Sequence, residues 1–187
     1  MSPGGHLVTT ALACGAAYAA TGSPALTAGI AAGGFLIDVD HVVDYVLFDG
    51  RRDLRPSVFL RYYLEGHVQR TVLLLHSYEL TLLLTLLAWA TGWVWLWGYC
   101  LGTALHLPLD IYFNGRFVPG GMVGFYSFAL RWRAGFHANR FWNASRLAPL
   151  DEGFWLTFFR GARLRQDAEP ESGRAPAARL DPGRLTH

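Results

Sequence analysis

Four apolar stretches, arranged as two pairs, constrain the fold of this chain more than any other feature. They cover residues 7–20, 25–37, 71–90 and 93–107. Within each pair, the two stretches are separated by a short turn signal, Thr21-Gly22-Ser23-Pro24 in the first pair and Thr91-Gly92 in the second. Glycine often follows the end of a helix and proline often begins one, so each pair is predicted to form two helices joined by a tight turn. The pattern therefore predicts an all-α protein built on four helices.

Composition favours a membrane as the surroundings of these helices. Hydrophobic residues make up 52% of the chain and charged residues 16%, compared with about 25% charged residues in ordinary soluble domains. No charged side chain occurs between residues 80 and 105, and the Gly- and Ala-rich first pair suits close helix packing in lipid. We therefore predict one membrane-embedded domain over residues 1–165, a four-helix bundle of two antiparallel hairpins at 6–41 and 71–112.

The distribution of arginine predicts how the bundle is oriented. One arginine group lies between the two pairs (Arg51, Arg52, Arg55, Arg61 and Arg70), a second follows the fourth stretch from Arg116 to Arg165, and neither turn contains a basic residue. Basic loops of membrane proteins remain on the cytoplasmic side. The sequence therefore predicts a multi-pass protein of the cell inner (cytoplasmic) membrane, with residues 42–70 and all residues after 110 in the cytoplasm.

The C-terminal third has a different character. Segments within 117–160 mix aromatic residues with arginine, which is typical of amphipathic segments that lie at a membrane surface and equally of helices that cover the cytoplasmic end of a bundle. Residues 166–187 are rich in Pro, Glu, Ala, Arg and Gly, a composition that predicts a disordered tail. A formal net charge of +2 without a basic stripe argues against a nucleic-acid partner.

The few polar side chains near the apolar stretches are spaced so that they share one level. His6 and Asp38 each lie sixteen residues from Gly22, and His76 and His106 lie sixteen and fourteen residues from Gly92. Sixteen helical residues rise about 24 Å, so both ends of each hairpin return to the arginine-rich side. Because packed helices lie about 8–10 Å apart, side chains from four helix ends can converge there.

These polar residues are carboxylates and imidazoles, which bind divalent metal ions. The predicted ligands are His6, Asp38, Asp40, His41, His76, His106 and Asp110. Such donors suit zinc first, and also manganese or iron, and the set is large enough for one or two ions. Glu79 or Asp44 would serve as the general base of a metal-dependent reaction. Cys14 and Cys100 lie inside apolar stretches and are predicted to be buried hydrophobic residues.

The order of these motifs resembles a known family. Gly5-His6, Asp38-x-Asp40-His41, His76-Ser77 and His106-x-x-x-Asp110, spread over residues 5–114, are similar to the motifs of membrane-bound metal-dependent hydrolases, also described as inner-membrane hydrolases of the YdjM type. The resemblance implies a four-helix membrane protein with metal-dependent hydrolytic activity. This chain departs from the family pattern at Ile37, where a proline is usual, in the shortened His76-Ser77 motif, and at Pro108, which is expected to kink the fourth helix.

Three classes of function follow from the sequence. The leading hypothesis is a membrane hydrolase acting on a lipid, a lipid-linked molecule or another phosphoester or ester, with the membrane lipids as its surroundings. The second is a non-catalytic membrane protein in which a metal or a carboxylate–imidazole network ties the helix ends together and presents a surface to a partner. A transporter is the third class, and the charge-free run from residue 80 to residue 105 disfavours it.

Overall fold

Two helical hairpins form the centre of the structure, a computed structural model that describes residues 1–117, 122–141, 144–150 and 152–165. The α-helices are, in chain order, α1 (Pro3–Thr21), α2 (Pro24–Gly34), α3 (Val39–Val43), α4 (Pro56–Leu64), α5 (Tyr78–Thr91), α6 (Val94–Asn114), α7 (Phe128–Arg133) and α8 (Phe154–Arg160). No strand occurs in these four ranges, where extended backbone pairs only at isolated bridges. The prediction of an all-α protein is confirmed.

The chain reverses where the turn signals predict. Gly22 joins α1 to α2 and Gly92 joins α5 to α6, with left-handed φ angles of 62° and 66°. Glycine adopts this conformation without the steric cost that a Cβ atom would bring. Its peptide N–H then bonds back to the last turn of the preceding helix, at Tyr18 and Ala88 respectively, which closes each hairpin.

The two hairpins are joined through a close approach of α2 and α6. A Cβ atom added to Gly33 would lie 2.1 Å from the carbonyl oxygen of Tyr99, and one added to Gly98 would lie 2.2 Å from that of Leu26. The two backbones are therefore in direct contact, as in other helix pairs with small residues at their interface. This contact fixes the C-terminal end of α2 beside the middle of α6, where His106 lies.

A bent, irregular helix follows α2. It consists of a 3₁₀ turn at Leu36–Asp38, the short α3, and a π-helical turn at Asp44–Phe48. Irregular turns of this kind often occur at functional sites. Asp38 and Asp40 of the sequence motif, and Asp44, a residue predicted as a possible general base, lie along this segment.

The third helix begins later than its apolar pattern predicts. Residues 71–77 are not helical, and α5 starts at Tyr78 with Ser77 as its N-cap, whose hydroxyl accepts a hydrogen bond from the Leu80 N–H. The predicted helix over 71–90 is therefore wrong in its first seven positions. The cause is that carboxylates from the bent segment bind the peptide N–H groups of Val72, Leu73, Leu75 and His76, as described below.

The C-terminal segments pack on the end of the bundle. Helix α8 contacts α1 and α4, while Trp155 and Trp132 are each 69% exposed. The predicted tail, 166–187, lies outside the described residues. By length and hydropathy, no single helix in the described ranges qualifies as a membrane span, although Pro24–Gly34 and Leu36–Phe48, bent by 46° at their junction, qualify together.

Candidate metal centre

Three side chains from three separate parts of the chain meet at one point. The Nε2 atoms of His76 and His106 are 3.1 Å apart, and the Asp38 Oδ1 atom lies 3.3 Å from the first and 3.6 Å from the second. Donor atoms around a tetrahedral zinc ion, with metal–ligand bonds of about 2.0–2.1 Å, are separated by about 3.3 Å. The triangle therefore has the dimensions of one face of a tetrahedral metal site.

The other ring nitrogen of each histidine fixes which atom faces this triangle. His106 Nδ1 lies 3.0 Å from the Gly34 carbonyl oxygen, which can only accept, so Nδ1 carries the proton. His76 Nδ1 lies 2.9 Å from an oxygen of Asp40 and donates to that carboxylate. A carbonyl or carboxylate partner on the second nitrogen is typical of metal-binding histidines. In their neutral forms, His76 and His106 then point two lone pairs at each other, an arrangement that needs a cation between them.

The negative charge of the carboxylates around His76 also favours a cation at this point. Burial acts to lower the pKa of His76, but the carboxylates of Asp40 and Asp38 outweigh it and raise that pKa to about 10. The carboxylates therefore stabilise positive charge at His76, supplied by a proton in the metal-free protein and by an ion in the metal-bound one.

A histidine–aspartate pair extends the cluster towards α1. His6 Nε2 lies 2.8 Å from Asp110 Oδ1, and the His6 ring is stacked on the His106 ring with 3.8 Å between centroids. The second oxygen of Asp110 accepts a hydrogen bond from the Tyr126 hydroxyl at 2.9 Å, and the amino group of Met1 also contacts this carboxylate. The Nδ1 atom of His6 is buried without a hydrogen-bond partner, so this nitrogen has no partner for its lone pair.

His41 completes the cluster on its opposite side. Its Nδ1 atom lies 3.3 Å from Asp40 Oδ1 and 3.6 Å from Asp38 Oδ1. The hydroxyl of Tyr63 donates to the His41 carbonyl oxygen at 2.6 Å, which links the bent segment to α4. His41 is half-buried, whereas His6, His76 and His106 are buried.

All seven predicted ligand residues are thus brought together. They form three overlapping groups whose donor atoms are close enough to hold a metal ion: His6, His106 and Asp110; Asp38, His76 and His106; and Asp40, His41 and His76. The donors are nitrogen and oxygen, as zinc, manganese and iron accept. Cys14 and Cys100 take no part in these groups. The buried histidines and aspartates can therefore hold a divalent metal ion.

Two carboxylates shape the backbone that carries His76. Asp44 Oδ2 accepts hydrogen bonds from the N–H groups of Val72 (2.6 Å) and Leu73 (3.1 Å), and Asp40 Oδ2 accepts from those of Leu75 (3.0 Å) and His76 (3.3 Å). Leu73 has a positive φ angle of 42°, which is rare for a residue with a branched side chain. The carboxylates therefore hold residues 72–76 in a conformation that the local sequence does not favour.

A buried arginine supports the same backbone and was not singled out as a site residue from the sequence. The Arg131 guanidinium is fully buried and donates to the carbonyl oxygens of His76 (3.0 Å), Leu73 (2.9 Å) and Phe125 (2.6 Å). Burial lowers its pKa. The sequence reading placed Arg131 in an amphipathic surface segment, and nothing in its spacing distinguishes it from the exposed Arg133 two residues later.

Neither residue predicted as the general base faces the metal triangle. Glu79 accepts hydrogen bonds from the Ser127 hydroxyl and from the N–H groups of Phe128 and Ala129, so it caps α7. Asp44 is buried and its Oδ2 atom is occupied by the backbone of residues 72 and 73, although burial raises its pKa to about 6. The cavity beside the cluster is lined by neither residue.

Comparison of the chain with models of protein families, with curated proteins and with solved structures finds no match.

Proposed function

We propose that this protein is a metal-dependent hydrolase that acts at the cytoplasmic face of a membrane. The observation that carries the proposal is the triangle of His76 Nε2, His106 Nε2 and Asp38 Oδ1, with sides of 3.1, 3.3 and 3.6 Å. Zinc is the first choice of ion, because nitrogen and oxygen donors at these separations suit its tetrahedral geometry. Manganese or iron would use the same donors.

The cluster borders a cavity that a substrate can enter. His6, Asp38, His41, His76 and Asp110 all line one cavity of about 640 Å³, within the range of roughly 300–1,000 Å³ that is usual for small-molecule sites. The Asp38 side chain is 35% exposed, compared with 1% for His76 and 0% for His106. Asp38 is therefore the member of the triangle that a substrate and a water molecule would meet.

The proposed reaction is hydrolysis of an ester or a phosphoester. When bound, the metal supplies Lewis acidity, which lowers the pKa of water and polarises the scissile group. The water oxygen forms the new bond to carbon or phosphorus, the bond to the leaving alcohol breaks, and a proton of the water ends on the leaving oxygen.

Substitution of the triangle tests this function. The metal-loaded wild type should hydrolyse 4-methylumbelliferyl phosphate or acetate, and Asp38→Ala and His106→Ala should each abolish both bound metal and turnover. His137→Ala is the control, since His137 is exposed and belongs to none of the metal groups, and it should keep both. Turnover that persists in His106→Ala at the wild-type rate would contradict the proposal.

The membrane part of the proposal is supported by apolar side chains on the outer faces of the hairpins. Trp89 is 77% exposed, Leu82 and Leu83 are each 61% exposed, and Leu12 on α1 is 69% exposed. A topology reporter inserted at Gly92 should be external, and one inserted after Arg70 should be cytoplasmic. A cytoplasmic reading at Gly92 would overturn the membrane-spanning hairpin and leave the metal centre to be judged separately.

A non-catalytic protein is the second candidate, and one observation favours it. With a proton on His76, the Asp40–His76 and His6–Asp110 pairs satisfy the buried charges without an ion. The cluster would then be a hydrogen-bonded network that ties the helix ends together. In that case, the purified protein should bind no stoichiometric zinc, and the effect of Asp38→Ala should be confined to a loss of stability.

A further inference from the structure

The cavity beside the metal cluster has two chemically different parts. One part carries the polar donors of the cluster. The remainder is mostly apolar, with Leu36 and Val39 next to the cluster, Phe59 on α4, Phe113 on α6, and Phe154 and Phe158 on α8. Ser2, Tyr63, Thr71, Asn114 and Tyr126 add a few polar atoms to the lining. Among the described lining residues outside the cluster, Arg160 is the one charged side chain, and it pairs with Glu152.

The apolar part of the cavity, its apolar wall, limits which ligands the cavity can bind. A sugar, a nucleotide or a peptide backbone would find too few polar partners there to replace all its hydrogen bonds to water, which costs free energy for each polar group left unpaired. A hydrocarbon chain gains from the same surface, at about 0.8 kcal/mol for each buried CH₂ group, or roughly fourfold in affinity. The apolar wall therefore favours a substrate with a hydrocarbon portion.

The outer surface next to the cavity is also apolar, which provides a route for such a chain. Helix α8 turns Phe154 and Phe158 towards the cavity, while Trp155, Leu156 and Phe159 on the same helix are 69%, 44% and 51% exposed. A helix that is apolar on both faces can separate a cavity from a lipid phase. Helix α4, which contacts α8, contributes Pro56, Phe59, Leu60, Tyr63 and Leu64 to the lining.

We propose that the cavity binds one acyl chain of a lipid, along the walls that α4 and α8 contribute, and so presents the carboxyl ester at the end of that chain, or the phosphoester of the headgroup joined to it, to Asp38 and His76. This inference rests on the proposed hydrolase function for the role of the metal, but not for the binding of the chain. The substrate class is thus an amphiphile with a single acyl chain in the cavity and its headgroup bond at the metal triangle.

Photo-crosslinking in lipid nanodiscs tests the binding of the chain without using activity. The probe is a monoacyl glycerol whose twelve-carbon chain carries a diazirine, and the labelled residues are mapped by mass spectrometry. We expect labels on α4 and α8, at residues that line the cavity, in both zinc-loaded and metal-free protein. Labels confined to the exposed outer faces of α1 and α5 would overturn the inference, because they would report only surrounding lipid.

A matched pair of substitutions adds specificity to this test. Leu60→Trp fills the cavity from α4, where Leu60 is 7% exposed, and should reduce labelling of α8 at least fivefold. Leu82→Trp makes the same change on the outer face of α5, at a residue that is 61% exposed, and should leave labelling of α8 unchanged. Equal labelling of α8 in the two variants would contradict the proposal.

A competition arm needs no variant and covers the case in which Leu60→Trp does not fold. Unlabelled dodecanoyl glycerol should reduce the cavity labels at least tenfold, and acetyl glycerol at the same concentration should leave them unchanged. Equal competition by both compounds would overturn the inference. Cavity labelling in a protein that binds no zinc would refute the proposed hydrolase and retain the acyl-chain site, so the two failures are distinguishable.

Discussion

Replacement of Asp40 by asparagine should switch the ring proton of His76 to the wrong nitrogen. One oxygen of Asp40 accepts from the Leu75 and His76 N–H groups at 3.0 and 3.3 Å, and the other accepts from His76 Nδ1 at 2.9 Å. Asparagine can keep an oxygen for the two backbone N–H groups, and its NH₂ group then faces Nδ1. His76 must accept there, so its proton moves to Nε2 and the lone pair that faces the metal is lost.

The expected loss of zinc affinity follows from what the hydrogen-bond partners of metal-binding histidines contribute. Loss of the group that orients a metal-binding histidine lowers metal affinity by about 10–100-fold, which corresponds to roughly 1.4–2.7 kcal/mol. The assay is zinc titration against a fluorescent chelator of known affinity, with a thermal unfolding curve for each variant. We expect Asp40→Asn to bind zinc at least tenfold more weakly than the wild type while remaining folded.

Asp49→Asn provides a matched control. Asp49 also accepts hydrogen bonds from two backbone N–H groups, those of Gln69 (3.2 Å) and Arg70 (3.0 Å), and from the Tyr62 hydroxyl, but it contacts no histidine. Its substitution should change zinc affinity by less than about threefold, since the ring orientation of His76 is unaffected. If the two variants lose affinity equally, or if Asp40→Asn binds as tightly as the wild type, the orienting role assigned to Asp40 is refuted.

Three further predictions concern the frame of the site and its charge. Arg131→Met should destabilise the protein by about 3 kcal/mol or more, because three buried carbonyl oxygens lose their donor. A change of ~1 kcal/mol already shifts the melting temperature by several degrees, so a melting temperature within about 2 °C of the wild type would show that the guanidinium is dispensable. Gly33→Ala places a Cβ atom 2.1 Å from the Tyr99 carbonyl oxygen and should cost roughly 1–3 kcal/mol, whereas Gly15→Ala, where nothing lies within 4 Å, should be neutral or stabilising in chemical denaturation. The folded-state pKa of His76 is raised from 6.5 to about 10. Protonated His76 should therefore stabilise the metal-free protein fully below about pH 6.5, and this stabilisation should be lost as the pH rises to about 10. Zinc affinity should rise over the same interval, because the ion replaces that proton, and flat pH profiles of both stability and zinc affinity would contradict the raised pKa.

The sequence predicted where the helices turn and which residues meet, because both depend on helix geometry. Because the rise per residue is fixed, residues at similar distances from Gly22 or Gly92 lie at similar heights along their helices. This spacing predicted that His6, Asp38, His76 and His106 share one level, and their donor atoms belong to two overlapping groups in the structure. The sequence also indicated the small residues of α2, but not that Gly98 on α6 faces them. Facing surfaces of two helices depend on tertiary packing, which a single segment does not encode.

Other features could not be read from local patterns. The run Leu73-Leu74-Leu75 is typical of a helix, yet the N–H groups of Leu73 and Leu75 are bound by Asp44 and Asp40, from a segment 29 and 35 residues earlier respectively. The prediction that Glu79 lies near the metal assumed one helix through His76. Because α5 starts at Tyr78, Glu79 instead caps α7. Tertiary hydrogen bonds decided both outcomes against the local propensity.

Pro108 does not separate His106 from Asp110. Proline inside a helix removes one backbone hydrogen bond and is expected to kink the chain. Helix α6 nevertheless continues from Val94 to Asn114 through Pro108, and His106 Nε2 remains 3.4 Å from Asp110 Oδ2. The motif His106-x-x-x-Asp110 therefore keeps both side chains in the cluster.

X-ray absorption at the zinc edge of the zinc-loaded protein tests the central claim most directly. We predict one tightly bound zinc in the triangle of Asp38, His76 and His106, with nitrogen and oxygen donors at about 2.0–2.1 Å and outer scattering from at least two imidazoles. His106→Ala should release the ion and so abolish this signal. A protein that retains no stoichiometric zinc, a sulfur donor at about 2.3 Å, or a spectrum unchanged in His106→Ala would contradict the account.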